Sequence, residues 1–95
     1  MTIGVLRIRL RLQSRTLKEK RSIVKSLIER LRNRYNASVA EIDDLDEAGV
    51  ASIAAIVVSN DSRHADEQVQ NIAAAIEDWR LDAEVLEIAT EVIHA

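Results

Sequence analysis

Residues Ile3 to Leu12 alternate, and that alternation narrows the folds open to the chain. Leu6, Ile8, Leu10 and Leu12 point to one side of an extended backbone, while Arg7, Arg9 and Arg11 point to the other. Successive side chains of a strand emerge on opposite faces, so the segment predicts a strand with one buried face.

The rest of the chain changes period in a regular order. Thr16 followed by Glu19 reads as a capping box opening a helix, with each side chain bonding a free backbone N–H of the first turn. Leu17, Val24, Leu27, Ile28, Leu31 and Tyr35 then share one helical face, and Asn36 is the expected left-handed stop. Ala37–Ile42 predicts a short strand, and Asp43–Gly49 a connection of turn-forming residues. Val50–Ser59 is a continuous small-apolar run, which predicts a strand covered on both faces. Asn60, Asp61 and Ser62 can each cap a second helix, whose buried stripe is Val69, Ile72, Ile76 and Trp79. Ala83–Val92 closes the chain as a strand, with Leu86, Ile88 and Val92 on one side.

The order is β-α-β-β-α-β. With right-handed crossovers it predicts an α+β ferredoxin-like sandwich: a four-stranded antiparallel sheet, two helices on one face, the other face open. Residues 1–95 are expected to form a single domain of this kind. With no Phe, one Trp and one Tyr, the core is expected to be aliphatic. No apolar run approaches the ~20 residues of a membrane span, and no signal peptide is evident. The absence of Cys excludes disulfides, thiolate metal sites and cysteine nucleophiles, and agrees with a cytoplasmic location.

Charge is sorted along the chain. Residues 1–36 carry eleven Lys and Arg against two Glu, whereas from Ala37 onward two Arg oppose fourteen Asp and Glu. The net charge of −3 conceals this. On the first helix Lys18, Arg21, Lys25 and Arg32 form one flank, Arg30 and Arg34 the other, and Arg15 and Lys20 gather near its start. Lys18, Lys20, Arg21, Lys25 and Arg32 are therefore the candidate phosphate-binding residues for RNA. The competing expectation is internal neutralisation. Asp66, Glu67, Glu77 and Asp78 of helix two would face helix one, and Glu87 and Glu91 of the last strand would face Arg7, Arg9 and Arg11.

The open sheet face suggests a homodimer. Its candidate interface residues are Arg7, Arg9, Arg11, Ile53, Ala55 and Val57, with Ala51 beside them. Other chemistry finds little support. Asp44, Asp46 and Gly49 echo a calcium loop, but Ala48 and Ala55 stand where ligands are needed. His64 and His94 lack zinc-motif spacing, and two glycines supply no phosphate loop. No metal, cofactor or catalytic residue is expected, and Gln13-Ser14-Arg15 is a poor substitute for the glycine-rich anion cradle of an acylphosphatase. Base stacking on the sheet is not expected either, because Tyr35 and Trp79 belong to helices.

Several segments together resemble a known family: Gly4-Val5-Leu6-Arg7, Thr16-Leu17-Lys18-Glu19-Lys20-Arg21, Val39-Ala40-Glu41-Ile42-Asp43 and Val58-Ser59-Asn60-Asp61-Ser62-Arg63-His64. They are similar to the small bacterial YlxP-like family, a domain of unknown function numbered 503. The resemblance covers nearly the whole chain and implies a ferredoxin-like fold in a cytoplasmic bacterial protein. It also implies a role near translation and the ribosome, and it brings no catalytic residues. The expectation is a non-enzymatic accessory factor touching ribosomal or other structured RNA. The alternative is a homodimeric interaction module whose charges neutralise one another and bind no nucleic acid.

Overall fold

The computed structural model describes residues 1–80 and 82–95. Six elements follow in order: β1 (Thr2–Arg11), α1 (Leu17–Arg34), β2 (Ser38–Asp43), β3 (Val50–Ser59), α2 (Ser62–Glu77) and β4 (Glu84–His94). The strands form one antiparallel sheet in the order β2-β3-β1-β4. This is the ferredoxin-like α+β arrangement that the order of periodicities predicts. No helix among the described residues is long and apolar enough to cross a membrane.

The core sits between the sheet and the helices. Leu6, Ile8 and Leu10 of β1 lie opposite Ala55, Ile53 and Ala51 of β3, and all six are buried. Val24, Leu27 and Leu31 of α1 and Val69, Ile72 and Ile76 of α2 close over them. Small side chains on β3 against large ones on β1 let the helices approach without Phe. Thr16 caps α1 as expected, its hydroxyl accepting from Glu19 N at 3.1 Å. Asp61 caps α2, accepting from Arg63 N at 3.0 Å.

Gly4 has a role that its sequence context conceals. A Cβ there would lie 2.8 Å from side-chain methyls of Val57 and Val69 and 3.0 Å from the Ala65 carbonyl. The missing side chain is what lets the first turns of α2 descend onto β1.

Four expectations need correction. The apolar run of β3 is covered on one face only, because Ile56 and Val58 are exposed; an aliphatic residue on a strand does not reveal whether another layer follows. Helix α1 ends at Tyr35 in an extended conformation, so Asn36 is no left-handed stop, and the positive φ among described non-glycine residues belongs to Asp44, at 58°. Leu86 does not share a side with Ile88 and Val92 in simple alternation. A register shift between Arg9 and Leu10 places Val85, not Leu86, opposite Leu10. Strand β4 also runs past Val92, where the sequence pattern ends it, to His94, which pairs with Thr2.

Gly4→Ala is expected to destabilise the fold by about 1–3 kcal/mol through overpacking. Urea unfolding should show a lower midpoint with an unchanged m-value.

Candidate nucleic-acid interface

Helix α1 lies against β2 at one margin of the sheet, and α2 lies over β1, β3 and β4. The 100° step per residue divides α1 into a buried stripe and two basic flanks. Arg21, Arg32, Lys25 and Lys18 fall within about 60° of its circumference, and all four are exposed. Arg30 and Arg34 lie on the other flank. There they line a groove of about 650 Å³ between the helices, together with Tyr35, Asn71, Asp78 and Trp79.

Lys20 is not among the exposed cations. It is completely buried, on the same stripe as Val24, Leu27 and Leu31. Its ammonium lies 2.9 Å from Glu41 Oε2, donates to the Glu47 carbonyl at 2.7 Å and donates to the Asp44 carbonyl. Two hydrogen bonds to carbonyls and an ion pair with a carboxylate compensate the buried ammonium. Lys20 thus leaves the candidate RNA surface, and it clamps the β2–β3 connection to the first turn of α1. The sequence carried a signal for this: positions 20, 24, 27 and 31 share one helical face.

Arg32 is half engaged, donating from Nη2 to the Val39 carbonyl of β2 at 2.7 Å. Lys18, Arg21 and Lys25 have no ion-pair partner among the described residues. The acids of α2 do not reach α1, and no described ion pair joins the two helices. Neutralisation therefore fails on the helix layer.

It succeeds on the sheet for Arg9 and Arg11, while Arg7 lies between Ala54 and Ala89 with no ion-pair partner among the described residues. Arg11 meets Glu84 at 3.3 Å. Arg9 meets Asp44 at 3.1 Å and Glu87 at 4.0 Å. The bulge in β4 brings both Glu84 and Glu87 to the open face although they are three residues apart. Glu91, expected beside the arginines, lies opposite Val5. Asp44 links the layers, since its carboxylate accepts from Arg9 and Ser52 on the open face while its carbonyl holds Lys20. The Ser52 hydroxyl, with Arg9 beside it, holds the Asp44 carboxyl below its ordinary value of 3.8.

Of the expected dimer contacts, Arg7, Arg9 and Arg11 do lie on the open face. Ile53, Ala55 and Val57 do not: they point into the helix-covered core. In antiparallel pairing directly opposed residues share a face, so the buried Leu6 and Ile8 carry Ala55 and Ile53 inward with them. The open face of β3 is instead Ser52, Ala54, Ile56 and Val58. Among the described residues no group of three or more His, Cys, Asp and Glu could hold a metal ion.

Comparison with known proteins adds the family and the fold. A family model described as "Protein of unknown function (DUF503)" matches residues 3–90. No curated protein matches the chain. Among solved structures the chain is similar to the de novo designed protein Foldit4, with a TM-score of 0.56 and 21% identity over 94% of this chain and 96% of that one. That likeness concerns the fold alone.

Lys20→Ala is expected to cost about 3–5 kcal/mol, because it leaves the Glu41 carboxylate buried without its countercharge. The double variant Lys20→Met/Glu41→Leu should recover most of that loss, and chemical denaturation of the four chains measures both. The lowered Asp44 carboxyl contributes stability that is present above the ordinary Asp value and lost as pH falls through the lowered one. Ser52→Ala should therefore move the onset of acid unfolding to higher pH, followed by circular dichroism.

Proposed function

For a chain that belongs to the DUF503 family of proteins of unknown function, we propose a non-enzymatic accessory role: binding structured RNA, ribosomal RNA included, in the bacterial cytoplasm. The observation that carries this reading is the flank of Lys18, Arg21 and Lys25, exposed and without ion-pair partners among the described residues. Arg9, Arg11, Lys20, Arg32 and Arg80 are matched with acids or carbonyls. Here the chain leaves three ammonium and guanidinium groups in solvent along one line of a helix.

Such a line suits a phosphate backbone. Successive helical turns present positive charge about 5–6 Å apart, close to the spacing of successive phosphates. The start of α1 adds the positive end of the helix dipole beside Lys18, and the exposed Arg15 precedes the cap. The Arg32 guanidinium, held by the Val39 carbonyl, would mark the far end of the strip with a fixed orientation. The two aromatic rings line the groove between the helices, on the other flank of α1. Recognition by charge and shape is the mode this supports, in preference to base stacking.

Affinity for a labelled RNA hairpin, read by fluorescence anisotropy, is expected to fall roughly 40-fold between 50 and 200 mM salt if three phosphate contacts form. The triple reversal Lys18→Glu/Arg21→Glu/Lys25→Glu should abolish binding while leaving the far-UV circular dichroism unchanged. Equal affinity of the reversed chain would sink the reading.

A further inference from the structure

The sheet face turned away from the helices is divided along its length. Toward the start of β1 it presents Ile3, Val5, Ile56, Val58 and Ile93. Toward the end of β1 it presents Arg7, Arg9 and Arg11 among acids. Val58 is 66% exposed, Ile56 42% and Ile93 39%, and they neighbour one another across three strands. An aliphatic cluster of this kind, uncovered on a rigid sheet, marks a contact surface.

We infer that this face is the interface of a homodimer, with a second copy of the chain as its occupant. Charge argues for self-association over a charged partner. Arg9 and Arg11 are paired with Asp44, Glu87 and Glu84, and Glu91 lies further along the same face, so the face has no excess of positive charge to offer RNA or an acidic peptide. What it offers a two-fold contact is the aliphatic cluster, which can meet its own copy. An axis running along the strands between β1 and β3 lays the apolar end on the apolar end of the other copy. It also lays β1 over β3 and β4 over β2 of the other copy, setting Arg7 and Arg9 against Ala54 and Ser52, with the sheets crossing at the small angle their twist dictates.

Area agrees. Ten-residue strands at ~3.3 Å per residue, four abreast at ~4.8 Å, give a flat footprint of about 600 Å². Side-chain relief brings that near the ~800 Å² per partner of an ordinary stable interface. The accessible surface of the chain, 5969 Å², also exceeds by about 500 Å² what a compact monomer of this mass exposes. Pairing through a free edge, that of β2 or that of β4, is the other route to a dimer, and the test below separates it from the face. The β2 edge is blunted where Arg32 occupies the Val39 carbonyl.

The inference stands apart from RNA binding, since the flank of α1 lies on the opposite layer and stays exposed in such a dimer. Sedimentation equilibrium at about 100 μM, above the micromolar constants at the weak end for interfaces of this size, should return twice the 10.6 kDa chain mass. Val58→Glu and, separately, Ile93→Glu should return the single-chain mass with native circular dichroism, because both side chains already face solvent within one chain. A wild-type chain that sediments as a monomer overturns the inference. So does a dimer that survives both substitutions, which would place the contact elsewhere.

Discussion

The buried ammonium of Lys20 is the constraint on which the arrangement of this molecule turns. A charge with no solvent exposure is tolerated only where every donor finds an acceptor. The acceptors come from Glu41 of β2 and from the carbonyls of Asp44 and Glu47 in the connection that follows. One side chain thereby determines the entry of α1, the end of β2 and the path of the loop into β3. The loop's other ties converge on the same place. Leu12 N donates to the Gly49 carbonyl at 2.8 Å, and the Ser14 hydroxyl donates to Ala48. Asp44 accepts the left-handed conformation that this geometry demands, a conformation Asp tolerates better than most residues.

This clamp also explains how a chain with so sorted a charge distribution remains locally balanced. Cations from the first third find anions and carbonyls from later segments across the sheet, through Arg9 with Asp44, Arg11 with Glu84, and Lys20 with Glu41. Exposed pairs of this kind contribute little to stability, about 0–1 kcal/mol each. Their larger effect is on the field, because they offset Arg9 and Arg11 on the open face and leave positive charge on α1. The two faces of the molecule thereby acquire different characters. One is a sheet face on which Arg9 and Arg11 meet acids beside an aliphatic cluster, the other a basic helix flank.

How far the site could be read from the residues depended on which face each residue took. Lys18, Arg21 and Lys25 were legible as an exposed flank because solvent is the default for a charged residue off the apolar stripe. Lys20 was misread for the same reason. Its position on the stripe was visible, but a lysine there is ordinarily accommodated by snorkelling, and only Glu41 and two loop carbonyls arriving from later in the chain keep it inside. The open-face residues of β3 were misassigned by one position. Ala, Ile and Val occupy both sides of that strand, and hydrophobicity alone leaves no alternation to set the phase.

The chain's local chemistry determined its element order, its helix caps and, through strand alternation and crossover handedness, its ferredoxin-like topology. These depend on neighbours a few residues apart, whose influence is present in the sequence itself. What only the tertiary structure decided was the register of β1 against β3 and β4, the bulge that places Glu84 and Glu87 together, the burial of Lys20 and the close approach at Gly4. Each is a meeting of residues far apart in the chain. Whether such a group is paired, exposed or excluded follows from what the fold brings against it, and no local pattern encodes that.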